Sequence, residues 1–264
     1  GSWRGSETKL RRWPDSAKTF LPDGQAPRVG QTFQNPRLAA SLKAIAEGGA
    51  EAFYNGIIAE QIVAFSQANG GFFSLRDFAD HTAEWVEPVS TNYRGYDLGE
   101  LPPNGQGIAA LQMLNLLEPY DLRSLGPGHP QYLHQLIEAK KLAFADREQY
   151  LADPDWIDVP IEGLLSKEYA RERANLIDQR KATANVVAGD PWKWQAGGKR
   201  AMATASRARP DREDTTCFAV VDRWGNAVCQ LQSIQTAWGS GLVVPGAGFL
   251  LNNRMTYWHL EEDH

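Results

Sequence analysis

From Gln179 to Asp214 the sequence is rich in Ala, Gly, Lys, Arg and Pro with almost no apolar period, and directly beyond it stand two β-forming runs, Thr216 to Val221 and Asn226 to Gln232. No other feature constrains the fold as much, because a continuous core cannot pass through a stretch with nothing to bury. It divides the chain into an extended segment over 1–30, a helical region over 31–178, a mobile linker over 179–214 and a β part over 215–264. Helices and strands segregated in this way predict an α+β fold.

Upstream, Asn35-Pro36 is a helix start, an N-cap followed by Pro at the first helical position. Leu38, Leu42 and Ile45 then share a face up to Gly48-Gly49, where a stop is expected. Phe53, Ile57, Ile58, Ile62 and Phe65 predict a second helix from about Ala50 to Gly70-Gly71. Ser74 to Asp77 reads as a capped turn, and Val86 to Leu98 as a hairpin broken at Arg94-Gly95. A helix follows the loop Leu101 to Gly107. A long one over Pro130 to Tyr150 is expected to turn Leu133, Leu136, Ile137, Ala139, Leu142, Ala143 and Ala145 inward and Glu138, Lys140, Lys141 and Arg147 outward. Asp146, beside Arg147, reads as solvated or ion-paired surface. Asp222-Arg223-Trp224-Gly225 between the two last runs is the clearest hairpin signal in the chain.

The 264 residues carry Lys+Arg 27 against Asp+Glu 32, a net charge of −5, which excludes a general polyanion binder and hence a nucleic-acid partner. Mean hydropathy is −0.44, and no run approaches the roughly 18 apolar residues of a membrane span. No signal peptide is visible, and the compartment, cytoplasmic or periplasmic, stays open. Cys217 and Cys229 lie too far apart in sequence for a C-x-x-C pair. The histidines lack metal-ligand spacing, and no G-x-S-x-G is present, so neither a zinc site nor a serine elbow is expected.

The remaining candidate is the pair Thr215-Thr216, at the head of an apolar strand and the end of the linker. A threonine that begins a chain is nucleophile and base in one residue, since its α-amine, with an ordinary pKa of about 7.7–8.0, can take the hydroxyl proton. Such a role requires cleavage between Asp214 and Thr215. Taken from these residues alone, a plain strand start is the stronger alternative.

Thr215-Thr216-Cys217-Phe218-Ala219-Val220-Val221-Asp222 through Val228, then Gly239-Ser240-Gly241 and Leu250-Leu251-Asn252-Asn253-Arg254-Met255, resemble the γ-glutamyltranspeptidase family of N-terminal-nucleophile hydrolases. Phe53-Tyr54-Asn55-Gly56, Tyr93-Arg94-Gly95-Tyr96, Leu101 to Gly107 and Ala145-Asp146-Arg147 through Asp155 extend the resemblance upstream in the family's order. It implies part of an αββα sandwich, with a helix-rich large-subunit portion and the first hairpin of a small subunit. It also implies a precursor that cuts itself between Asp214 and Thr215 into a large/small subunit heterodimer acting on a small-molecule amide or peptide. Thr215 would be the nucleophile, and Ser233 stands where the family has a threonine bonded to the new terminus. No metal or organic cofactor is implied.

The family's ligands for a glutamyl α-amino group fall at Gln235, Arg254 and Tyr257. A guanidinium repels an ammonium, so the resemblance points away from γ-glutamyl donors and toward oxamate amidohydrolase or cephalosporin-acylase-like relatives with anionic substrates. The alternative is that Arg254 pairs with Glu261 or Glu262. The family's first strands and its oxyanion hole would lie before Gly1 and after His264, so this stretch alone is expected to be inactive. A relative that kept the fold as a non-catalytic binding or assembly module is the competing class.

Overall fold

A computed structural model describes residues 2–197 and 215–257. They fall into two compact units, one of residues 2–83 with 215–257 and one of 84–197.

In the first unit the chain begins with three short helices, α1 (Ser2–Gly5), α2 (Glu7–Arg11) and α3 (Pro14–Phe20), in place of the extended segment expected over 1–30. None is long enough to display a helical period, so tertiary contacts decide their shape. Leu10 is fully buried, and the Trp3 indole donates to Phe20 O at 2.8 Å. Trp3, Phe20, Phe33 and Trp238 form one aromatic cluster, with neighbouring ring centroids 4.8 to 6.2 Å apart.

The start predicted at Asn35 is present: its side chain accepts the Leu38 N–H at 3.0 Å and opens α4 (Pro36–Tyr54). Gly49, at φ +62°, kinks this helix but does not end it. The break comes at Asn55-Gly56, before α5 (Ile57–Ala68). Ser74 and Asp77 cap α6 (Leu75–Ala79), as their spacing predicts. Ile58 and Ile62 of α5 meet Val244 and Ala247 in a core that Phe53, Phe65, Phe249 and Leu251 complete.

The second unit opens with the predicted hairpin, β1 (Val89–Tyr93) and β2 (Tyr96–Glu100), turning at Arg94 and Gly95, both at positive φ. Then come α7 (Gly107–Leu117), the one-turn α8 (Leu122–Leu125), α9 (Pro130–Tyr150), α10 (Ile161–Leu165) and α11 (Lys167–Ala174). Leu116, Leu117, Ala139, Leu142 and Ala143 pack α7 against α9.

The buried face of α9 is rotated from the one its apolar residues suggest. Leu133 and Ile137 are exposed, whereas Glu138 and Asp146 are each 2 % exposed. Both acids are answered by polar partners. Glu138 receives Lys141 Nζ at 2.6 Å and the Thr183 N–H at 3.2 Å. Asp146 does not turn to Arg147; it takes Arg173 at 3.2 Å, the Tyr169 hydroxyl at 2.8 Å and the Gly189 N–H at 2.9 Å. The described part of the expected linker, 179–197, therefore packs through polar bonds that apolar periodicity does not register, and its Pro191 is buried.

The last two strands, β3 (Thr216–Val221) and β4 (Ala227–Gln232), pair antiparallel from Thr216↔Gln232 to Val221↔Ala227. Asp222 closes their turn by accepting the Trp224 and Asn226 N–H groups at 2.8 and 3.0 Å, and Gly225 supplies the positive φ of +85°. Among the described residues, helices together with two two-stranded antiparallel sheets make the fold α+β.

Candidate active site

One residue beyond the paired strands, the register of β3 and β4 sets Thr215 opposite Ser233. The Thr215 hydroxyl donates to Ser233 Oγ at 3.1 Å, and the Gln235 backbone N–H donates to the same oxygen at 3.1 Å. Ser233 Oγ is thus shared between the Thr215 hydroxyl and the Gln235 N–H.

Past Ser233 the chain leaves the sheet in a tight turn. Gln235 at φ +79° and Trp238 at φ +67° hold a left-handed backbone that non-glycine residues rarely adopt, and Gly239 follows at +51°. Gln235 is 2 % exposed, and its Oε1 has no hydrogen-bond partner among the described residues. A buried acceptor in that state costs about 1–3 kcal/mol until a donor reaches it.

Leu250-Leu251-Asn252-Asn253 fastens this turn from the other side. Asn253 Oδ1 accepts the Thr236 N–H and the Thr236 hydroxyl, each at 3.2 Å, while the Asn253 N–H donates to Ile234 O at 3.3 Å. Ser240 N–H and Oγ both donate to Leu251 O, at 3.0 and 2.8 Å. Asn252 Oδ1 accepts the Arg254 N–H at 2.9 Å and opens the 3-10 turn Arg254–Tyr257, where Arg254 is exposed.

Thr215, Ser233 and Gln235 are therefore joined in one hydrogen-bonded chain, and Arg254 ends the segment that Asn253 ties to it. Asp214, Glu261, Glu262 and the side chain of Tyr257 lie outside the described residues. The cysteines, distant in sequence, are brought together by the hairpin with sulfurs 3.5 Å apart. The hydrogen bond with Cys229 raises the Cys217 thiol above its ordinary pKa, which lowers its thiolate content. Asn253, part of the Leu250–Asn253 motif, and two residues without a sequence signal, Ser16 and Lys9, also shape the site. Ser16, fully buried on α3, donates to Gly241 O at 2.7 Å and accepts the Val243 N–H at 3.0 Å. Its signal is absent from the sequence, since a serine in a short helix shows no period.

The family model for gamma-glutamyltranspeptidase matches residues 1–263. The chain belongs to the γ-glutamyltranspeptidase family. Among its relatives, the glutathione hydrolase-like YwrD proenzyme of Bacillus subtilis is 39% identical over 255 residues, 97% of this chain and 44% of its own length. The glutathione hydrolase proenzyme of Escherichia coli is 38% identical over 252 residues, 95% of this chain and 41% of its own. The crystal structure of cephalosporin acylase from Bacillus halodurans superposes with a TM-score of 0.82 at 36% identity, covering 99% of this chain and 45% of that one. This γ-glutamyltranspeptidase-family chain thus spans less than half the length of each of these relatives.

Proposed function

We propose that this chain carries the nucleophile and the self-cleavage point of a γ-glutamyltranspeptidase-type amidohydrolase or acyltransferase. The observation that supports it best is the Thr215 hydroxyl held on Ser233 Oγ at 3.1 Å at the head of β3. In the precursor, Thr215 Oγ attacks the carbonyl carbon of Asp214. The C–N bond breaks, the hydroxyl proton passes to the departing nitrogen, and the acyl group remains as an ester on Oγ. Water hydrolyses that ester, leaving Asp214 at the end of a large subunit and Thr215 at the start of a small one, the two staying together as a heterodimer.

In turnover the new amine of Thr215 accepts the hydroxyl proton as Oγ attacks the substrate amide, and the leaving amine carries that proton away. An acyl-enzyme ester results, which water or a second amine releases. Ser233 aligns the hydroxyl and leaves the lone pair of the new amine free to take its proton.

The relatives' names divide between glutathione hydrolase and cephalosporin acylase at nearly equal identity, so the substrate is argued from the chain's own residues. The Arg254 guanidinium binds a carboxylate. An amide whose acyl part carries a carboxylate or another anion, without an α-ammonium, suits it. A panel of amides with and without a free α-amino group, assayed with the full-length protein, tests this. Preference for the anionic acyl compounds supports it, and preference for the α-amino compounds contradicts it.

A further inference from the structure

Lys9 reaches from α2 into the turn that follows Ser233. Its Nζ donates to Gly239 O at 2.6 Å, to Ala237 O at 2.9 Å and, more loosely, to Thr236 Oγ1 at 3.5 Å. An ammonium has three protons, and these acceptors use all of them on a single turn of chain. The stem of the side chain lies along Gly241, where a Cβ would meet Lys9 Cγ at 3.2 Å and Cε at 3.3 Å. A Cβ at 241 would press on that stem.

The turn needs such a clamp. Gln235 and Trp238 hold left-handed φ angles of +79° and +67°, and the 237 and 239 carbonyls converge on the Lys9 nitrogen, where without a cation their dipoles would repel. Strained backbone of this kind persists only where its surroundings over-determine it. Trp238 is wedged between Trp3 and Phe20, each at 5.1 Å, but those rings set its position without answering the carbonyls. Among the described contacts Lys9 alone answers the Ala237 carbonyl, while the Gly239 carbonyl also accepts the Thr236 hydroxyl at 3.2 Å, so Lys9 is the one group that ties the two carbonyls together. The other end of the same turn aims the Gln235 N–H at Ser233 Oγ, which holds the Thr215 hydroxyl.

We propose that Lys9 is a positioning residue for the Thr215–Ser233 pair: its ammonium holds the 236–239 turn in the conformation that directs the Gln235 N–H onto Ser233. The proposal rests on the reading of Thr215 as the nucleophile. Misplacing a reacting group by about 1 Å costs on the order of a hundred-fold in rate, so the effect belongs in kcat and in the rate of self-cleavage, with KM little changed.

The test uses full-length Lys9→Met, which keeps the stem and removes the charge. The expected result is self-cleavage and kcat both slowed by about ten- to a hundred-fold, with KM within about three-fold. Lys9→Cys treated with 2-bromoethylamine regains an ammonium of nearly the native length and is expected to recover both rates, wild type treated alike controlling for Cys217 and Cys229. If Lys9→Met fails to fold, Lys9→Gln is measured in its place. Rates within two-fold of wild type, a loss confined to KM, or no recovery on aminoethylation would overturn the proposal. An inert Thr215→Ala alongside an unaffected Lys9→Met removes this proposal alone, whereas self-cleavage of Thr215→Ala removes the underlying reading of the nucleophile.

Discussion

Thr215 and Ser233 face each other across the open ends of β3 and β4, hydroxyl to hydroxyl at 3.1 Å, and Ser233 also receives the Gln235 N–H. Removing the Ser233 hydroxyl leaves both donors unanswered. Ser233→Ala is expected to slow self-cleavage and turnover about ten-fold, as the loss of one or two such bonds implies. Ser233→Thr keeps the oxygen and is expected to retain the wild-type rate. Densitometry of the precursor band over time, with kcat on the best amide, reads both.

Arg254 is the position at which charge and substrate meet in this account. Arg254→Gln is expected to raise KM for anionic acyl amides by about ten-fold, the effect of one charge-assisted hydrogen bond, and to relieve the penalty on α-ammonium compounds. Unchanged ratios of kcat/KM across the panel would separate Arg254 from the substrate.

Gly239 allows the close approach of the turn and the Leu250–Asn253 segment. A Cβ there would stand 2.5 Å from Leu251 O, on a backbone at φ +51°. Gly239→Ala is expected to destabilise by about 1–3 kcal/mol and to slow self-cleavage along with it. Urea midpoints and the cleavage assay check the two together.

Much of the architecture could be read from the sequence. Asn35-Pro36, Ser74 with Asp77, Arg94-Gly95 and the Asp222–Gly225 turn each announce themselves through local chemistry, and each is found where its residues place it. What the sequence concealed was satisfied through distant polar partners. Nothing in the pattern of α9 says that Glu138 will be buried, because beside Lys141 on the same helix its answer comes from Thr183, far along the chain. Nor do short helices such as α2 and α3 show a period, though they carry Lys9 and Ser16 to the turn beside Ser233. Ser233 was reached in the sequence through the family resemblance alone, whereas the clamp on the turn is long-range and left no mark there.

The two buried acids of α9 predict opposite responses to pH. Burial raises the Asp146 carboxyl above its ordinary range although Arg173 pulls the other way. The folded state then binds that proton more tightly than the unfolded one, so the contribution of Asp146 is present at acid pH and is lost as pH rises through the folded value. Burial also acts to raise Glu138, but Lys141 and Thr183 outweigh it and the net shift is downward. Its contribution is present above the unfolded value and is lost as pH falls. Relative to Asp146→Asn, the urea midpoint of wild type is expected to fall as pH climbs from about 4. Relative to Glu138→Gln it is expected to rise between about pH 3 and 5. Two curves of the same sign would contradict the assignment.

The most direct measurement is made on full-length Thr215→Ala, by SDS gel and intact mass. A single uncut chain with no turnover of any amide in the panel is expected, beside a wild-type protein that yields two chains parted between Asp214 and Thr215. A Thr215→Ala protein that still divides at that bond, or a wild type that never does, would contradict it.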